Sequence, residues 1–179
     1  MDRVVVIGLG NILCGDDAFG VCLAEKLYEK YDFPPNVDIV DGGAQGQTLY
    51  QYVERADKLL IFDAVDFGLS PASIIRRERA EIPLWLGAKK ITAHQNSFAE
   101  ILALADLKNV APAQCVLIGV QATDTTFGTV ISQAVDAKIP EAIELGLRCL
   151  ANWGIAPIPS TRPKKMIADE LLESGFYRK

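Results

Sequence analysis

The chain has 179 residues, half of them apolar and 23% charged, the proportions of a folded globular protein rather than a disordered or fibrous one. Its formal net charge of −5 leaves no electrostatic footprint for nucleic acid. Its apolar runs fall far short of the roughly 20 residues that span a bilayer, and Met1-Asp2-Arg3 leads straight into a strand-like run with no secretory pattern. The expectation is a cytoplasmic monomer that engages neither membrane nor nucleic acid.

In chain order, residues 3–9 predict a buried strand, apolar at nearly every position. Residues 17–31 carry helical periodicity, with Asp16 placed to N-cap the helix and Asp17 favoured by the dipole in its first turn. Pro34-Pro35 stops the chain before a second strand at 37–40; a helix over 45–54 and a strand at 59–62 follow. This βαβαβ rhythm, with short strands apolar on both faces, predicts an α/β fold. The expected architecture is a single domain, a twisted and mainly parallel sheet of about five strands sandwiched between α-helices. Residues 72–77 read as an edge strand, 96–107 as a helix, 114–120 as a buried strand and 139–153 as a long helix. Pro157, Pro159 and Pro163 then interrupt the pattern, so the domain is expected to span 1–155 and to leave a tail over 156–179 with one short helix at 165–172. The four cysteines lack any C-x-x-C spacing and read as reduced, largely core thiols.

An open parallel sheet binds ligands beyond the C-terminal ends of its strands, where loops and helix N-termini converge. Several polar residues fall on that edge: Asp16 and Asp17 after the first strand, Asp41-Gly42-Gly43 at the end of the second, Asp63 at the end of the third, and His94 before the next helix. His94 is the sole histidine, and a lone histidine is more often structural than functional. A dinucleotide site fits poorly, because Gly8-x-Gly10 is followed by Leu13 where a third small residue is wanted, and the acidic pair would repel a pyrophosphate. A receiver-like signalling module that binds metal without peptidase activity is the alternative; its acidic pair would come several residues earlier, and 116–121 lacks the lysine it needs. Taken together, Asp17, Asp63 and His94 offer two carboxylates and an imidazole to a transition-metal ion with positions open for water or a carbonyl, which describes a hydrolytic site.

Gly8-Leu-Gly10-Asn11-Ile-Leu-Cys-Gly15-Asp16-Asp17-Ala-Phe-Gly20, then Asp41-Gly42-Gly43-Ala-Gln-Gly46, Asp63-Ala64 and His94-Gln95, resembles the hydrogenase maturation proteases. Ala93-His94-Gln95-Asn96-Ser97-Phe98 and Val65-Asp66-Phe67-Gly68 are most similar to the branch serving uptake hydrogenases. The resemblance implies an endopeptidase that removes the C-terminal extension of a nickel-iron hydrogenase large-subunit precursor after nickel insertion. It implies Asp17, Asp63 and His94 as metal ligands and catalytic groups. The ion would be nickel carried by the substrate and used for recognition, with zinc or cadmium able to substitute. Water polarised by the metal or by a carboxylate would attack the scissile carbonyl, another carboxylate carrying the proton; which one is the base stays open. Relatives often have glutamate at the first ligand, and the resemblance then implies that the shorter Asp17 either draws the ion closer to the helix N-terminus or holds it more loosely. Asp41, with Asp16, Gly42 and Gly43, is expected behind the ligands or against the substrate chain.

Overall fold

The computed structural model describes residues 1–43, 46–81, 93–161 and 163–167, with the backbone alone at 80 and 93–97. Strand β1 (Val4–Leu9) leads through a 3-10 turn (Gly15–Ala18) into helix α1 (Phe19–Lys30). Then come β2 (Tyr31–Asp32), β3 (Val37–Gly43), a 3-10 turn (Gly46–Leu49), α2 (Tyr50–Glu54), β4 (Lys58–Val65) and β5 (Ile74–Glu78). The remaining elements are α3 (Ala93–Leu107), β6 (Gln114–Gln121), α4 (Gln133–Asp136), α5 (Ile139–Asn152) and β7 (Ile158–Pro159).

Five strands form one sheet in the order β3-β1-β4-β6-β5, parallel except for β5, which pairs antiparallel with β6 at the edge. Alternation along the strands divides the interior into two cores. Val5, Ile7 and Leu9 of β1, with Leu59 and Ile61 of β4, pack against α2 and α3. Val4 and Val6, with Leu60 and Phe62, pack against α1 and α5. Both faces are covered, which is why the strands read as continuous apolar runs without alternation. The expected α/β sandwich of five strands is the fold observed.

The differences are local. Helix α1 begins at Phe19, two residues later than the periodicity suggested, because Gly15–Ala18 form a tighter 3-10 turn; Asp16 lies inside that turn and does not cap the helix. Of the helix expected over 45–54, residue 45 lies outside the described residues, and 46–54 divide into a 3-10 turn and the single helical turn α2. Strand β4 runs on to Val65, so Asp63 sits within it rather than at its end. Helix α3 starts at Ala93 and takes His94 into its first turn. Helix α4, capped by the Ser132 hydroxyl accepting from the Val135 N–H at 3.4 Å, was not foreseen.

The chain after α5 is laid along α1. Ile158 and Pro159 pair antiparallel with Asp32 and Tyr31, and the Ser160 N–H donates to the Lys30 carbonyl at 2.8 Å. The Lys164 ammonium donates to the Tyr28 carbonyl at 2.8 Å and to the Tyr31 carbonyl, pairs with Asp32 at 2.8 Å and lies 4.8 Å from the centre of the Tyr28 ring. The helix expected at 165–172 falls largely outside the described residues. Among the described residues no helix is long and apolar enough to cross a membrane.

Candidate functional site

From β1 the chain builds β3 on one side and then crosses to β4 on the other, so strand order reverses between β1 and β4. A crevice opens at the C-terminal ends of the strands at such a reversal. Two glycines set the backbone there. Gly10 has φ +135°, and a Cβ on it would stand 1.7 Å from the Asp17 carbonyl oxygen, so the loop closes back on itself only with glycine at that point. A Cβ on Gly20 would stand 2.2 Å from the Phe62 carbonyl oxygen and 2.3 Å from that of Leu9. The first turn of α1 therefore rests directly on the seam between β1 and β4, and the 3-10 turn ahead of it lies against β4.

That packing carries Asp17 to the reversal point. Asp17 is fully buried, and its Oδ2 accepts the Asn11 N–H at 2.8 Å. Asp63 is also fully buried and lies level with Gly119 of β6. It alternates in step with Ile61 and Val65, so it belongs to the face covered by α2 and α3. The backbone of His94 stands in the first turn of α3, on that same face; its side chain lies outside the described residues. Among the described residues no three His, Cys, Asp or Glu side chains converge on one point. In donor chemistry the two buried carboxylates suit a divalent first-row ion, supplying anionic oxygens that compensate its charge.

Asp41 lies elsewhere. It stands level with Gly8 and two residues beyond Ile39, which packs with the α1 cluster, so it occupies the face opposite to that of Asp63. Its charge is felt at Cys22 of α1. Burial raises the Asp41 carboxyl above the ordinary carboxylate range, partly offset by the Gly43 N–H donating to Oδ1 at 2.9 Å. Gly42 fits β3 against β1, since a Cβ there would stand 2.7 Å from Ile7 Cγ2, and Gly43 takes a left-handed φ of +42°.

Asp16 is fully buried and faces the loop between β6 and α4. Its carboxylate accepts the N–H groups of Thr123 at 2.8 Å, Asp124 at 3.0 Å and Ser132 at 2.7 Å. Burial works to raise its proton affinity, yet the backbone donors together hold the carboxyl below its ordinary range. Backbone bonds extend the seam: Gly128 N–H to Leu13 O at 2.7 Å, Gly15 N–H to Thr129 O at 3.2 Å and Asp16 N–H to Asp124 O at 2.8 Å. The loop bearing Asp17 and the 122–132 loop are thus joined into one unit.

Sequence reasoning missed Gln121, whose signal was a polar residue ending an otherwise apolar strand. It is buried; its Oε1 accepts the N–H groups of Phe67 and Leu69 at 2.9 and 3.1 Å, and its Nε2 donates to Asp66 Oδ1 at 3.0 Å. Gln121 shapes the turn after β4. The four cysteines are free thiols. Burial pushes the Cys115 thiol up to about 12 and the Cys149 thiol up to about 11, which keeps both protonated and poor nucleophiles.

A family model described as hydrogenase maturation protease matches residues 21–149. The chain is 43% identical over 159 residues to the hydrogenase expression/formation protein HoxM of Cupriavidus necator, covering 88% of this chain and 79% of that protein. It is 38% identical over 180 residues to the hydrogenase expression/formation protein HupD of Bradyrhizobium diazoefficiens, covering 98% and 94%. Among solved structures, the hydrogenase maturating endopeptidase HybD of Escherichia coli superposes with a TM-score of 0.84 at 31% identity, covering 89% of this chain and 98% of that one.

Proposed function

The chain belongs to the hydrogenase maturation protease family, and on that premise we propose that it removes the C-terminal extension of a nickel-iron hydrogenase large-subunit precursor after nickel has been inserted. Residues 1–155 act as the protease domain, as a cytoplasmic monomer. The observation that supports this reading most is the pair of fully buried carboxylates, Asp17 in the turn that follows β1 and Asp63 within β4, the two strands that flank the reversal point of the sheet. Buried carboxylates held by a packed backbone are suited to a cationic, water-depleted encounter rather than to solvent.

Asp17, Asp63 and His94 together receive the nickel that the precursor already holds, so recognition and the check on maturation become one event. Asp17 is oriented by the Asn11 N–H, and Asp63 by its place in a central strand. A carboxylate so placed can take a proton from water attacking the scissile carbonyl and return it to the leaving amine. Asp16, Asp41, Gly42 and Gly43 act behind this group: Asp16 fixes the neighbouring loop, and the other three shape the end of β3 along which the substrate chain passes.

The test is to incubate nickel-loaded and nickel-free precursor with the protein and follow the mobility shift of the shortened product. Cleavage of the loaded form alone is expected, and equal cleavage of both would sink nickel-gated recognition. His94→Ala is expected to abolish processing with an unchanged thermal midpoint; retained processing would return His94 to a purely structural role.

A further inference from the structure

The two loops joined through Asp16 expose apolar side chains that the proposed cleavage does not use. Ile12 and Leu13 are 64% and 54% exposed, and Phe127 and Val130 are 74% and 84% exposed. They lie together because the Leu13 carbonyl accepts the Gly128 N–H and the Thr129 carbonyl accepts the Gly15 N–H, which puts each pair beside the other. Apolar side chains scattered singly over a surface are ordinary; a group on loops that a buried carboxylate and its three donors hold in register is a prepared contact. The group also borders the turn that carries Asp17.

Charge identifies the occupant. Residues 4–25, 37–54, 59–75 and 109–137, which include the connections beyond β1, β3, β4 and β6, contain no lysine or arginine. Their charged residues are all acidic, among them the exposed Asp124, whose carboxyl is held below its ordinary range chiefly by hydrogen bonds from Thr126. Among the described residues, Arg3, Lys58, Arg76 and Arg79 stand towards the opposite ends of the strands, and Lys138, which ends the connection beyond β6, is paired with Glu141 at 2.8 Å. An apolar patch with an acidic rim complements an apolar segment flanked by lysine or arginine.

We propose that Ile12, Leu13, Phe127 and Val130 form a docking platform for the large-subunit precursor, taking an apolar, basically flanked segment of it outside the peptide that is cut. This inference rests on the proposed function, since it supposes a protein substrate at the Asp17 edge. The platform holds the precursor while the scissile peptide reaches the buried carboxylates, so it contributes to association and not to the chemical step.

The experiment is a titration of the full-length protein with purified nickel-loaded precursor, reading binding and cleavage separately. The double variant Phe127→Ser/Val130→Ser is expected to weaken binding and raise KM roughly tenfold while keeping kcat. Leu107→Ser, an equally exposed site at the far end of α3, is expected to change neither. Variants are compared at matched thermal midpoints, and Ile12→Ser/Leu13→Ser serves as the second pair if the first does not fold. Unchanged binding, or a fall in kcat with KM retained, overturns the platform while leaving the proposed function intact. Parent protein that binds the precursor but does not shorten it overturns the proposed function, and the same binding curves still judge the platform. Parent protein that does not bind the precursor overturns both.

Discussion

Asp16, fully buried, and Asp41, half-buried, are two acids of similar appearance in the sequence that the fold treats in opposite ways. Asp16 has its proton affinity lowered by three backbone donors that outweigh burial, whereas Asp41 has its raised by burial with one N–H in partial compensation. The signs differ in consequence. A depressed carboxyl contributes stability above its unfolded value near 3.9 and loses it as pH falls through the folded value. A raised one imposes a penalty that grows as pH rises from that unfolded value through the folded one. Asp16→Asn is therefore expected to destabilise the protein at pH 7 by about 2–4 kcal/mol, since an amide cannot accept all three N–H groups and leaves a buried donor unmet. Asp41→Asn keeps an acceptor for Gly43 and is expected to stabilise at pH 7. Denaturant unfolding of both variants across pH 3–7 checks this, and both differences should shrink towards acid. The state of Asp16 was not legible in the sequence, because its donors lie more than 100 residues away along the chain.

At the scale of the element, α1 shows what sequence patterning can and cannot convey. Its apolar periodicity was readable, and so was the strand on either side. Its starting point was not: Asp16-Asp17 looks like a cap and a first turn, and what displaces the helix to Phe19 is the requirement that Gly20 sit on the carbonyls of Leu9 and Phe62. The same close approach brings Asp17 to the reversal point, so the candidate site was legible as a set of residue types while its assembly was not. The proline pattern after α5 predicts a tail and says nothing of where it goes. Lys164, with its side chain 11% exposed, lies at the C-terminal end of α1 and donates to the carbonyl of Tyr28 in its last turn and to that of Tyr31 just beyond it, where a cation complements the helix dipole. Lys164→Met is expected to destabilise by about 1–3 kcal/mol. Hydrogen exchange should quicken at residues 28–31 while kcat and KM for the precursor stay as in the parent, because this end of α1 is remote from the seam. Loss of processing in a folded Lys164→Met protein would contradict that separation.

Over the whole molecule the parallel strands give the protein a direction. Acidic connections and the candidate site occupy the C-terminal edge, and arginine and lysine at the N-terminal edge are engaged with acids there, as in Arg3 with Asp38 at 3.0 Å and Lys58 with Asp2 at 3.0 Å. The basic edge is thus locally neutralised, and the net charge of −5 is felt most by whatever approaches the acidic edge. Such a field acts on encounter, so its effect belongs to the association rate and is screened over a Debye length of about 8 Å at physiological salt. KM for the precursor is expected to rise with ionic strength while kcat stays level. Asp124→Asn removes one charge from the rim and keeps the oxygen that accepts the Thr126 N–H at 2.9 Å, so the loop should hold its shape. Stopped-flow association of this variant with the precursor should be slower than that of the parent at low salt and converge with it at high salt, with dissociation nearly unaltered. A salt-independent difference would mean that Asp124 acts through loop structure, because screening cannot abolish a change in packing.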